Sequence, residues 1–252
     1  MDPWIVGGAA ALAAGAAGVV GLGAAQPRAQ IFGPTVRRTD RPEKLAITFD
    51  DGPNPAITPK LLELLAKHNA KASFFLVGKY VRAYPELTKE IARRGHTLGN
   101  HTDTHPNLVF RGPQETSDEL RRCHDAIHQA TWAEPRWFRP PFGFRSPWLS
   151  EIVHRQNMRT AMWTLIPGDW RVKPAAWLIQ RMNPIAEHAR KKLPPSTGYG
   201  GGMTGDIVCL HDGDYARPNA DRTHTLAALE YWLPRWSDLG LEFVTMGQTV
   251  GT

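Results

Sequence analysis

The chain has 252 residues, 42% hydrophobic and 21% charged, with a net charge of +6 at pH 7. A chain of this length buries a sizeable core, and its composition excludes wholesale disorder and a collagen-like fibre. Two cysteines exclude a disulfide scaffold and a cysteine-rich zinc fold, while 10 histidines and 9 tryptophans leave metal, sugar and core roles open.

Ile5 to Ala25 is an uncharged run in which 15 of 21 residues are Gly or Ala. It is long enough to span a bilayer, and Gly23, Ala24 and Ala25 also suit a signal-peptidase cut. Residues 1–25 are therefore expected to be a signal peptide or membrane anchor. That assigns the rest of the protein to the cell envelope or beyond, with membrane association through residues 5–25. The flanking charges leave the orientation open. Met1–Trp4 carries Asp2 and no basic residue, whereas Arg28, Arg37, Arg38 and Arg41 follow the run. Residues 26–43 read as a linker, and residues 44–252 as a single folded domain.

Short apolar runs then alternate with helical patterns. Lys44–Phe49 reads as a buried strand, and Thr58-Pro59 as an N-cap and first-turn proline before the stripe Leu61, Leu62, Leu64 and Leu65. Strands are expected at 73–77, stopped by Gly78, and at 96–98, with a helix over 85–94 between them. A longer helix follows over 113–130. Further strands are expected at 160–163, 207–210 and 242–245, and helices at 147–156, 175–191 and 223–239. This alternation predicts an α/β fold with a parallel sheet, doubly wound or closed into a barrel. Reactive residues in such folds sit just past the C-terminal ends of strands.

That rule selects four places. Asp50 and Asp51 end the first strand, and two carboxylates so close ionise together only beside a cation. A solvated turn is the plainer reading of such a pair alone. His101 and His105 follow the third strand, and Asp51 could complete a set of two imidazoles and one carboxylate, leaving a position for water. His124 and His128 have the same spacing but fall in an amphipathic helix, where a partly exposed surface pair is expected. His211 is presented at the tip of Ile207–Leu210, where a structural histidine is equally plausible. Arg139-Pro-Pro-Phe-Gly143 is a rigid loop with one cation, and Asp169-Trp170 sets a carboxylate beside an aromatic wall. Together these supply what amide or ester hydrolysis at a metal needs.

Thr48-Phe-Asp-Asp-Gly-Pro53, His101-Thr-Asp-Thr-His105, Arg139-Pro-Pro-Phe-Gly143, Asp169-Trp170 and Leu210-His211-Asp212 resemble the five ordered motifs of polysaccharide deacetylases, the NodB-homology group or carbohydrate esterase family 4. The resemblance runs from about Leu45 to Val250. It implies a distorted (β/α) barrel of about seven strands and one divalent metal ion, zinc first, with cobalt or nickel as alternatives. It also implies that Asp51, His101 and His105 are the metal ligands, Asp50 the general base and His211 the general acid. Arg139 would pair with Asp50, and Asp169 would tune its basic partners. Phe142, through its backbone N–H, together with Trp170, Cys209 and Leu210, would contact substrate.

Three positions depart from the family pattern: Phe142 replaces tyrosine, Ile166 an aspartate and Cys209 a leucine. The implied reaction is removal of N-acetyl groups from amino-sugar residues of a peptidoglycan or chitin-like glycan. The alternatives are an O-acetyl esterase on xylan-type glycans, another C–N hydrolase of the same fold, or an impaired glycan-binding member. A monomer is expected, with an acetylated poly- or oligosaccharide as partner. Nucleic acid is not expected, because the basic residues are dispersed in short clusters such as Arg93-Arg94 and Arg121-Arg122 without a binding motif. Their more plausible use is with anionic envelope polymers. Cys123 and Cys209 give no bridge, and the Pro/Gly-rich stretch 193–205 is either a groove rim or an ordinary connection.

Overall fold

In the computed structural model, residues 30–191 and 204–249 are described; the apolar run 5–25 and most of the stretch 193–205 lie outside them. The elements in chain order are β1 (Lys44–Gly52), α1 (Thr58–Lys67), β2 (Ser73–Leu76), α2 (Gly78–Ala83), α3 (Pro85–Arg93) and β3 (Thr97–Asn100). They continue with α4 (Pro113–Thr131), β4 (Trp137–Phe138), α5 (Leu149–Arg155), β5 (Arg159–Thr160) and α6 (Ala175–Arg190). The last are β6 (Asp206–His211), α7 (Thr223–Asp238) and β7 (Glu242–Val244).

Every strand pairing is parallel, in the order β5-β4-β3-β2-β1-β6, with β7 joined to the start of β1. The far edge curls back through an isolated bridge between Leu165 and Val208, where the Cys209 N–H donates to the Leu165 carbonyl at 2.9 Å. The expected distorted (β/α) barrel of seven strands is therefore what forms.

Side-chain alternation sorts each strand into two rows. Leu45, Ile47 and Phe49 of β1, Phe74 and Leu76 of β2, and Val208 and Leu210 of β6 enter the core between sheet and helices. Ala46, Phe75 and Ile207 pack inside the barrel with Trp137, Ala161, Val244 and Met246. In register, Ala46 lies opposite Ile207, Thr48 opposite Cys209 and Asp50 opposite His211. The inner rows thus run from apolar at the bottom to polar at the strand tips.

Several local expectations change. Thr58 is the first helical residue and not a cap; its hydroxyl accepts from the Asn54 N–H at 2.9 Å and donates to Asp212. Gly78 opens α2 instead of only ending β2. The Trp137–Phe138 strand, too short to carry a periodic signal, joins β3 to β5. Ahead of β1, Val36 bridges Ala161, and the Thr39 hydroxyl donates to the Lys44 carbonyl at 3.0 Å. The end of the stretch read as a linker is thereby fastened to the barrel. No helix among the described residues is long and apolar enough to cross a membrane.

Candidate active site

Asp50, Asp51, His101, His105, Phe142, Trp170 and His211 line one cavity of about 420 Å³ at the C-terminal ends of the strands. Trp163 and Ile166 close it on one side, Tyr215 and Arg222 on another.

One ligand atom from each of Asp51, His101 and His105 lies within 4.8 Å of the others, and all three residues are buried. The His101 Nδ1 faces the Arg139 carbonyl at 2.7 Å. A carbonyl only accepts, so the proton sits on Nδ1, and Nε2 is left as a lone pair 3.6 Å from Asp51 Oδ1. His105 Nε2 is 3.2 Å from the same oxygen. Among the described residues neither Asp51 Oδ1 nor His105 Nδ1 has a hydrogen-bond partner. Burial, with Asp50 adding to it against opposing histidines, raises the Asp51 carboxyl above its ordinary range; burial next to His101 and His211 pushes His105 down to about 2. A carboxylate oxygen and two imidazole lone pairs converging on one point are a donor set that fits a divalent cation.

The ligand loop is held in an unusual backbone path. Asp51, Thr102, His105 and Phe142 all have φ between 58° and 71°, although none is glycine. Glu119 of α4 holds the loop by accepting the N–H groups of Asp103 at 3.0 Å and Thr104 at 2.8 Å, plus the Thr104 hydroxyl at 3.0 Å. Asp103 in turn pairs with Arg82 at 2.7 Å and Arg122 at 3.1 Å.

Two further acid–base pairs flank this group. Arg139 is fully buried and donates to Asp50 Oδ1 and to the Thr48 hydroxyl, each at 2.7 Å, with its guanidinium 4.1 Å from the Phe75 ring centroid. Burial opposes ionisation of Asp50, but Arg139, His101 and His211 together hold its carboxyl below the ordinary value. On the other side Asp169, with no exposed surface, faces His211 Nδ1 at 2.8 Å and accepts the His211 backbone N–H at 2.7 Å. The Thr225 hydroxyl donates to Asp169 at 3.1 Å. Burial alone would lower the His211 pKa; Asp169 first, then Asp51 and Asp50, outweigh it and raise the ring to about 9.

Of the expected substrate contacts, Phe142 and Trp170 face the cavity. Leu210 does not: strand alternation turns it into the core against the helices, which corrects that expectation. Cys209 is fully buried, its thiol 3.3 Å from Asp50 Oδ2. Ile166 lines the cavity as an apolar wall. Tyr215, which carried no motif signal, stacks on the His105 ring at 4.3 Å and 14°. Glu119 also escaped notice; the available clue was an acidic residue within the buried stripe of α4. His124 and His128 bracket Glu134 at 2.8 and 3.0 Å, so that helical pair does have a carboxylate beside it, from the loop after α4.

Residues 37–161 match the sequence profile of the polysaccharide deacetylase family. A chitooligosaccharide deacetylase of Azorhizobium caulinodans is 33% identical over 211 residues, covering 81% of this chain and 93% of that protein. A peptidoglycan-N-acetylglucosamine deacetylase of Bacillus cereus is 32% identical, covering 81% and 86%. Among solved structures, a peptidoglycan N-acetylglucosamine deacetylase bound to an N-oxidanyl-benzamide superposes with a TM-score of 0.72 at 25% identity, over 85% of this chain and 91% of that one. A family 4 pseudoenzyme of Bacillus anthracis gives 0.69 at 26% identity, over 86% and 68%. The chain belongs to the polysaccharide deacetylase family, hydrolases that act on carbon–nitrogen bonds other than peptide bonds.

Proposed function

We propose that this protein is a metal-dependent deacetylase that removes N-acetyl groups from amino sugars of a peptidoglycan or chitin-type glycan. The observation that carries the reading is the cavity lined together by Asp51, His101 and His105, by Asp50 with Arg139 paired behind it, and by His211 with Asp169 paired behind it. Asp51, His101 and His105 would hold the divalent cation, with zinc the first candidate for two imidazoles and a carboxylate. When bound, the cation supplies Lewis-acid polarisation of the acetyl carbonyl and acidifies water.

Asp50, kept ionised by Arg139, takes a proton from the attacking water. His211, charged through Asp169, gives a proton from Nε2 to the leaving nitrogen as the carbon–nitrogen bond breaks, releasing acetate and a free amine. The Phe142 N–H is assigned to the developing oxyanion. Trp170, 42% exposed and edge-on to His211 at 5.5 Å, suits the wall against which a sugar ring lies. The peptidoglycan and chitooligosaccharide substrates of the relatives support action outside the cytoplasm. Residues 1–25 are proposed as the targeting segment and residues 44–252 as the catalytic domain.

The test is bound-metal content together with acetate release from chitin oligomers, peptidoglycan and acetylated xylan in parallel. Acetate from the first two supports the reading, whereas acetate from xylan alone moves the reaction to O-acetyl esters. Asp50→Asn should lower turnover by about 10²- to 10⁴-fold with metal retained. A glycan-binding protein would show no turnover to lose, and survival of turnover in the variant would remove Asp50 as the base.

A further inference from the structure

Behind the base and the acid lies a second group of potential ligands that the proposed reaction does not use as such. One ligand atom each from Asp50, Cys209 and His211 falls within 4.8 Å of the other two. The register of β1 against β6 explains the placement: Asp50 pairs with His211 and Thr48 with Cys209, so the thiol sits one inner position below the imidazole and beside the carboxylate. The Cys209 thiol is already 3.3 Å from Asp50 Oδ2. Ligands of a tetrahedral zinc ion with sulfur and nitrogen bonds stand about 3.5 Å apart, so small side-chain adjustments would suffice. Each donor is also aimed. Arg139 occupies Asp50 Oδ1 and leaves Oδ2 to this group, and Asp169 occupies His211 Nδ1 and leaves Nε2. Asp50 Oδ2 is 3.9 Å from His101 Nε2, so the group adjoins the Asp51–His101–His105 set without sharing a residue with it.

We propose that Asp50, Cys209 and His211 form a second, inhibitory metal site that takes a thiophilic divalent cation, zinc in excess or cadmium. Thiolate, imidazole and carboxylate together select such ions over magnesium or calcium. On binding, the Cys209 S–H and His211 Nε2–H bonds break, metal–sulfur and metal–nitrogen bonds form and both protons leave to solvent, with no change of oxidation state. The filled site occupies the lone pairs of Asp50 Oδ2 and His211 Nε2, which are the groups that move protons in deacetylation. The inhibitory consequence rests on the reading of Asp50 and His211 as base and acid; the metal count does not.

Metal-free protein titrated with cadmium should take up two equivalents, the second accompanied by a thiolate-to-metal ultraviolet absorption. In Cys209→Ala the absorption should vanish and the second equivalent weaken by at least roughly 100-fold, the upper end of what losing even an outer ligand partner costs. Cys123→Ala removes the other cysteine, which is buried in α4 with its thiol on the Leu76 carbonyl and belongs to neither ligand group, and should leave both signals intact. With zinc, deacetylation by the wild type should rise to one equivalent and fall as the second binds, while Cys209→Ala keeps at excess zinc the rate it has at one equivalent. Uptake of a single equivalent by the wild type, a second equivalent without thiolate absorption, or persistence of the second in Cys209→Ala each overturns the site. Should Cys209→Ala fail to fold, the wild-type stoichiometry and absorption decide alone. A protein that binds two equivalents yet releases no acetate at one would instead count against the proposed reaction.

Discussion

At the scale of single residues, the site works by giving each ionisable group one dominant partner. His211 is the sharpest case. Burial opposes its charge, but Asp169, with Asp51 and Asp50 adding to it, prevails and raises its pKa from 6.5 to about 9. Because the folded value lies above the unfolded one, the contribution to stability is complete below about pH 6.5 and is lost as pH rises through about 9. The same shift keeps His211 protonated at neutral pH, as the acid role proposed for it requires. Asp169→Asn should therefore move the alkaline limb of the kcat–pH profile to lower pH, which a rate profile from pH 5 to 10 measures. An unmoved limb would show that Asp169 only positions the ring. The mirror pair, Arg139 on Asp50, holds that carboxyl ionised, and a fully buried guanidinium with no solvent to replace it leaves little room for lysine there.

At the scale of elements, strand tips place the groups and helices hold the loops that join them. The His101–His105 loop departs from regular structure, so its two positive-φ residues, Thr102 and His105, need outside support, which Glu119 and Asp103 supply from or towards α4 and α2. Glu119→Gln keeps the shape but loses the charge that two backbone N–H groups and Arg122 share. Metal affinity, followed by competition with a chelator, should fall roughly 10- to 100-fold while the melting temperature changes little. Equal affinity would confine Glu119 to fold maintenance. On the opposite side of the mouth, the loop after β6 presses on the first: a side chain at Gly213 would collide with the Asp51 carbonyl, which explains glycine there. The Lys79 ammonium and Tyr80 hydroxyl donate to the carbonyls of that loop at Tyr215 and Asp214, fixing the tyrosine ring over His105.

At the scale of the whole molecule, the proposed metal would be thermodynamically linked to the fold. A cation bound only by the folded state at 100 times its Kd adds about 2.7 kcal/mol, which for a chain of this size raises Tm by roughly 5–10 °C. Calorimetry with and without zinc should show that rise, and His101→Ala should abolish it. The net charge of +6 has less to do with function than the sequence suggested. Arg93 is paired with Glu90 at 2.7 Å, and Arg94 with Glu63 and Glu90. Arg121 pairs with Asp118 and Asp125. Such exposed pairs contribute little stability but cancel local potential. Arg93→Ala with Arg94→Ala should accordingly change glycan turnover by less than about twofold; a larger fall at low salt would restore a role for these arginines in holding an anionic polymer.

The sequence by itself determined the elements long enough to show a period, the parallel class they imply and the residues gathered at strand ends. Asp50, Asp51, His101, His105 and His211 were legible because chemistry-bearing residues recur at the ends of apolar runs, a pattern local in the chain. What only the tertiary structure decided depends on register and on contacts between distant segments. The β1–β6 register turns Leu210 outward and brings Cys209 onto Asp50, and a strand of two residues joins β3 to β5. Glu119 reaches the ligand loop from a helix, Tyr215 covers His105 from another loop, and His124 and His128, identical in spacing to the ligand pair, meet Glu134. Spacing states which side chains can share a face; only packing states what that face meets.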